Sequence, residues 1–194
     1  MKVGVLALQG AFARHVQVLG ELGSAVVEVR TVGELSGADA LVLPGGESTT
    51  MSMLLDSSGL RNAVADRLSA GMPALGTCAG MILLATHVAD ARPDQRSFGA
   101  IDIDLRRNGY GRQVDSFEAD LSVAGFEGTF PGVFIRAPVV DRVGEGVEVL
   151  ATADGHPVLC RQGAVMVSSF HPEMSGDGRI HQEFLELAFA TSMD

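Results

Sequence analysis

Four short apolar runs, in a stretch that reads as alternating strands and helices, constrain this chain most. They lie at residues 2–8 (ended by Gln9-Gly10), 25–29, 40–43 and 72–76. Each is long enough for a strand buried on both faces and too short for a helix. Between the first two, Phe12, His15, Val16, Leu19 and Leu22 recur at three- and four-residue spacing, a helix stripe closed by Gly23. A second helix is expected to open at Ser58 or Gly59 and run to about Ala70, and residues 79–86 read as a third. Strands that alternate with helices pair in parallel through right-handed crossovers.

The later sequence has a different texture. Ile101, Ile103 and Leu105 alternate with Asp102, Asp104 and Arg106, the period of a half-exposed strand. Residues 147–152 and 157–161 flank Asp154-Gly155, a hairpin turn signal. Residues 164–170 form another strand-like run, and Ile180, Phe184, Leu187 and Ala188 mark a closing helix. With 194 residues and no internal repeat or linker-like tract, the expectation is one domain over 1–194. Its expected class is α/β, a mainly parallel sheet with helices on both faces and antiparallel additions.

Charge narrows the partners. Fourteen basic against 24 acidic residues leave a net charge of −10, and no basic cluster exceeds Arg106-Arg107. Nucleic-acid and anionic-membrane roles are therefore not expected. With 46% hydrophobic residues but no apolar run approaching about 18, and no signal-peptide pattern after Met1, a cytoplasmic protein is expected. Cys78 and Cys160 are expected to be reduced.

Gly76-Thr77-Cys78-Ala79-Gly80 joins an apolar strand to a helix, the nucleophile-elbow pattern with cysteine in the serine position. A sharp strand-to-helix turn crowds the backbone, and glycines two before and two after supply space. A thiol of pKa about 8.5 is only ~3% ionised at neutral pH, and lowering it by about 2 units needs ~2.7 kcal/mol. One helix end rarely supplies that, so a basic partner is required. His171, at the end of a strand-like run, is placed to be that partner, with Glu173 two residues on to orient its ring. Without the elbow, a solvent-bonded strand-end histidine and a helix-start acid would be the preferred description of these two. Pro44-Gly45-Gly46-Glu47-Ser48 follows another strand. Its glycines let backbone N–H groups approach a ligand, so Gly46 and Ala79 are candidate oxyanion donors. The same loop also reads as a helix start capped by Glu47 or Ser48.

The chain resembles the class I, triad-type glutamine amidotransferases, and within them the vitamin B6 branch, the glutaminase subunits of pyridoxal 5′-phosphate synthases. The motifs that carry this are residues 4–10, residues 43–49, Gly76-Thr77-Cys78-Ala79-Gly80-Met81, Arg107-Asn108, Gly111-Arg112-Gln113, Ser116-Phe117-Glu118 and His171-Pro172-Glu173. Met81-Ile82 replaces the glutamine that follows the elbow glycine in many class I members, which suits the B6 branch. The resemblance implies Cys78 as nucleophile, His171 as acid/base and Glu173 as orienting carboxylate. It places Gly46, Glu47, Ser48, Arg107, Ile135 and Arg136 along bound L-glutamine, with Gln9-Gly10 completing the oxyanion site when a synthase subunit docks. An arginine also suits a carboxylate on chemical grounds, and strand alternation sets Arg106 and Arg107 on opposite faces. The implied reaction is glutamine hydrolysis through a γ-glutamyl thioester. Its ammonia passes to a pyridoxal 5′-phosphate synthase subunit in a hetero-oligomeric complex, and this chain needs no cofactor and no metal.

Other residues read blandly. His15 is expected to be a satisfied core or interface histidine, His87 and His181 lack metal-ligand spacing, and Cys160 and the methionines Met51, Met53 and Met81 are packing residues. Two other functional readings fit the elbow: a cysteine hydrolase or protease of related architecture, and a catalytically silent binding subunit.

Overall fold

The computed structural model describes residues 1–107 and 116–193. The chain runs β1 (Lys2–Leu6), α1 (Phe12–Glu21), β2 (Ala25–Val29), α2 (Val32–Ser36), β3 (Ala40–Leu43), α3 (Ser48–Ser57), α4 (Leu60–Ser69), β4 (Ala74–Thr77) and α5 (Ala79–Leu84). There follow β5 (Ala85–Val88), β6 (Ile101–Arg106), β7 (Ser116–Ser122), β8 (Thr129–Ile135), β9 (Val139–Val143), β10 (Glu148–Ala153), β11 (His156–Gln162) and β12 (Val165–Ser168). A 3-10 turn (Pro172–Met174) and α6 (Arg179–Thr191) close the order.

The main sheet is ordered β10-β11-β12-β4-β3-β1-β2. β12, β4, β3, β1 and β2 are mutually parallel, and β10 and β11 add antiparallel at one edge. Its central strands are buried on both faces, and their period-two alternation sorts side chains between two cores. Leu41 and Leu43 of β3, Leu6 of β1 and Val165 and Val167 of β12 join Met51, Leu55, Val64 and Leu83 from α3, α4 and α5. Val42, Val3, Val5 and Met166 join Leu19 of α1 and Ile180 and Phe184 of α6 on the opposite face. The expected parallel sheet with helices on both faces is therefore present. Two smaller sheets, β5-β6-β9 and the β7-β8 hairpin, sit beside it.

Several boundaries differ from the sequence reading. The first strand ends at Leu6, because Gln9-Gly10 turns toward the loop after β3, where the Ala11 N–H bonds Gly45 O at 2.9 Å. The helix expected over 79–86 stops at Leu84. The incoming N–H groups of Phe98 and Ala100 take the carbonyls of Leu83 and Leu84, both at 2.7 Å, and Ala85 turns extended to start β5. Five elements were not anticipated: α2, β5, β7, β8 and β9. A capping box at Thr31 and Glu34 starts α2, and Glu47, accepting from the Thr49 and Thr50 N–H groups, starts α3. The hairpin is held in place by burying Leu121, Phe130 and Phe134 against Phe170.

Candidate active site

The site assembles at the carboxyl ends of four neighbouring parallel strands. In the spatial order β12, β4, β3, β1, these ends lead to His171, Cys78, Gly45-Gly46 and Gln9. Strands about 4.8 Å apart thus bring four loops from distant sequence side by side, at the edge where open parallel sheets place ligands.

Cys78 has a positive φ (φ 49, ψ −101) as the residue just before α5, and its N–H bonds Ser168 O at 2.8 Å. A side chain bearing a Cβ rarely adopts that φ; such strain costs of order 1–3 kcal/mol and persists only where the surroundings enforce it. The surroundings here are the elbow glycines. A Cβ on Gly76 would stand 2.7 Å from the Gly80 carbonyl, and one on Gly80 only 1.9 Å from Leu43 O. Helix and strand meet backbone to backbone, and the turn is left no other course.

His171 is tied to the β7-β8 hairpin by its N–H to Val133 O at 2.8 Å, and its Nδ1 bonds Glu173 Oε1 at 2.7 Å. Cys78, His171 and Glu173 are 7, 6 and 5% exposed, so water screens little of their mutual charge. Burial acts to lower the His171 pKa, but hydrogen bonds and charge from Cys78 and Glu173 outweigh it and push it up to about 10. Glu173 is held below the usual carboxylate range: burial opposes ionisation, but the His171 hydrogen bond and the neighbouring His15 and His171 favour it. The Sγ lies 3.9 Å from Ile135 O.

Cys78 opens on a cavity of about 390 Å³. Gln9, Gly10, Gly46, Glu47 and Ser48 line it together with Arg107, Ile135, Arg136 and His171. Gln9 Oε1 accepts the Glu47 N–H at 3.0 Å, and a Cβ on Gly46 would meet that oxygen at 2.3 Å and displace the Gln9 amide. A Cβ on Gly45 would strike the His171 ring at 2.3 Å. Arg107 bonds Glu47 Oε1 at 3.0 Å and Gln95 Oε1 at 3.1 Å, whereas Arg106 turns away to Asp141. Arg136 (φ 43) is a second non-glycine residue with a positive φ.

Every candidate residue read from the sequence therefore lies at one place, with Glu173 behind His171 and Ala79 opening α5 behind the thiol. Asn108 and Gly111-Arg112-Gln113 lie outside the described residues. Sequence reasoning missed Gln95, whose amide spans Arg107, Thr49 and Ser48. It also missed that His15 lies against Glu173; the signal was a histidine on an otherwise apolar helix face. Cys160 is free, buried and pushed up to about 12 by burial, an inert thiol. Among the described residues no His/Cys/Asp/Glu group is arranged to hold a metal, and no helix is long and apolar enough to cross a membrane.

Comparison with known proteins follows the same lines. Residues 5–189 match the SNO glutamine amidotransferase family. The pyridoxal 5′-phosphate synthase subunit PdxT of Mycobacteroides abscessus is 54% identical over 188 residues, 97% of each chain. A solved glutamine amidotransferase superposes with a TM-score of 0.90 at 51% identity, covering 96% of this chain and 98% of the other. A putative GMP synthase subunit of Thermoplasma acidophilum shares the fold, with a TM-score of 0.69 at 19% identity over 100% of this chain and 96% of the other.

Proposed function

The chain belongs to the SNO glutamine amidotransferase family, and on that premise we propose a site and a mechanism for its activity. It is the glutaminase subunit of a pyridoxal 5′-phosphate synthase, hydrolysing L-glutamine to L-glutamate and supplying ammonia for vitamin B6 synthesis. The observation that carries the site is Cys78: a buried thiol on a strained elbow, lining one cavity with His171 and Arg107.

Glutamine lies along Gly46, Glu47 and Ser48, with its α-carboxylate toward Arg107 and its side-chain amide over Cys78, and Ile135 and Arg136 close the pocket. The Cys78 sulfur forms a bond to the amide carbon as the C=O π electrons move to oxygen, where the N–H groups of Ala79 and Gly46 hold the negative charge. The tetrahedral species collapses, the C–N bond breaks, and His171 gives its proton to the departing nitrogen. Ammonia leaves a γ-glutamyl thioester on Cys78. His171, now neutral, takes a proton from water, the hydroxide adds to the thioester carbon, and glutamate departs as the thiolate returns. Glu173 keeps Nδ1 protonated so that Nε2 faces the sulfur.

The whole chain, 1–194, acts as one glutaminase domain in the cytoplasm, in a hetero-oligomeric complex with the synthase subunit. Docking near Gln9-Gly10 sets the loop that holds the oxyanion. The test is glutamate release by wild type and Cys78→Ala, each with and without a pyridoxal 5′-phosphate synthase subunit. Wild-type release should rise with the partner, and Cys78→Ala should lose at least about a thousandfold. Release that ignores the partner removes the docking proposal; release that survives Cys78→Ala removes the nucleophile.

A further inference from the structure

Behind the proposed triad lies a buried chain of polar groups that the mechanism above does not use. Glu173 has two carboxylate oxygens. Oε1 takes His171, but Oε2 is buried and makes no well-aligned hydrogen bond among the described residues. His15 Nε2, from α1, stands 3.3 Å from it. That nitrogen is also 3.2 Å from Thr77 Oγ1, one residue before the nucleophile, and His15 Nδ1 is 2.9 Å from His181 Nε2, from α6. Both histidines are fully buried on otherwise apolar helix faces.

The position of each proton follows from what surrounds it. Burial keeps both rings neutral: it is the main cause lowering His15, and it takes His181 down to about 3. Each ring then carries one N–H. A proton on His15 Nδ1 would be donated to His181, and the His15 Nε2 lone pair would then point at a carboxylate. The His181 proton would be left on Nδ1, a buried atom with no hydrogen-bond partner among the described residues. The opposite arrangement leaves only a lone pair at that atom, and buried N–H groups without an acceptor are the rarer and costlier case. His181 Nε2–H therefore donates to His15 Nδ1, and His15 Nε2–H faces Glu173 Oε2 and Thr77 Oγ1.

We propose that His15 is a positioning residue for the catalytic carboxylate: its Nε2–H, fixed in place by His181, holds the second oxygen of Glu173 and so keeps the first aimed at His171. This rests on the triad assigned above. The side chain never reaches substrate; it acts through Glu173, as groups behind a metal-ligating histidine act on the ligand. The titratable groups facing Glu173 are His171, with Cys78 beyond it, on the cavity side and His15, with His181 beyond it, on the other.

The test compares His15→Leu, His15→Asn and His15→Gln in the full chain assembled with its synthase subunit, reading kcat, KM and the pH profile of glutamate release. Glutamine's amide nitrogen reaches the place of Nε2, whereas asparagine's stops near Nδ1 and cannot reach Glu173. His15→Leu and His15→Asn should lose about 10–100-fold in kcat with KM for glutamine within about twofold. The acid limb of their kcat/KM profile should move to higher pH, because Glu173 has lost a donor that favours its charged form. His15→Gln should exceed His15→Asn by at least about fivefold and keep the wild-type limb. Wild-type kcat in His15→Leu, or equal activity in the folded Gln and Asn variants, would overturn the inference; the second comparison decides even if the leucine variant does not fold. Cys78→Ala run alongside separates the two levels. If it retains activity, the triad reading itself has failed; if it is inactive while His15→Leu is normal, only His15 has.

Discussion

At the residue scale the site depends on positions where one methyl group cannot be added. Gly80 and Gly20 make the contrast measurable. A Cβ on Gly80 lands 1.9 Å from Leu43 O, a backbone atom held in the parallel sheet, whereas a Cβ on Gly20, in α1, meets nothing within 4 Å. Gly80→Ala is expected to cost at least about 3 kcal/mol, which for a chain this size lowers Tm by about 6–12 °C. Gly20→Ala should raise stability by about 0.5–1 kcal/mol through helix propensity. Thermal denaturation of the two variants checks both signs, and equal effects would show that the elbow can relax. The need for small residues around Cys78 was legible in the sequence, since glycines two before and two after a cysteine, between a strand and a helix, imply a crowded turn. The partnership of His15 and His181 was not: they are 166 positions apart, and nothing local in either helix points to the other.

At the element scale, legibility followed how strongly each segment declares its own period. The central strands are apolar at nearly every position and were found with small boundary errors. β7 (SFEADLS) buries only Leu121 fully and does not announce its type, and α3 (STTMSMLLDS), rich in serine and threonine, declares its capped start but not its length. α5 is buried all round, which erases the stripe that would have marked its end at Leu84. The segment between β5 and β6 shows the same limit and matters for the site. Gln95 reaches from it to Arg107, while Arg61, buried on α4, bonds the Arg96 carbonyl and so pins the segment. Among the described residues, Gln95→Leu leaves the Arg107 guanidinium with Glu47, a carboxylate that competes with the substrate's own. KM for glutamine is expected to rise about 3–10-fold with kcat within about twofold, a loss of ground-state binding. Steady-state kinetics decides it, and a fall in kcat at unchanged KM would place Gln95 in the chemistry instead.

At the scale of the whole molecule, one sheet edge does the gathering. Parallel pairing puts the carboxyl ends of β12, β4, β3 and β1 at the same side, so residues separated by most of the chain become neighbours without any long loop reaching across. The sequence showed the strands and the chemical residues after them, and the parallel rule joined the two. What it left open was the strand order, which decides that the loop carrying Gly46 stands between Cys78 and Gln9. A net charge of −10 disfavours polyanionic partners on electrostatic grounds. Every role proposed for the site depends on covalent chemistry at one sulfur. The direct measurement is a rapid acid quench of the complex with its synthase subunit turning over radiolabelled glutamine, followed by peptide mapping. Label on the peptide carrying Cys78, absent from Cys78→Ala, is the predicted result. Label on a different side chain, or turnover undiminished in Cys78→Ala, would contradict it.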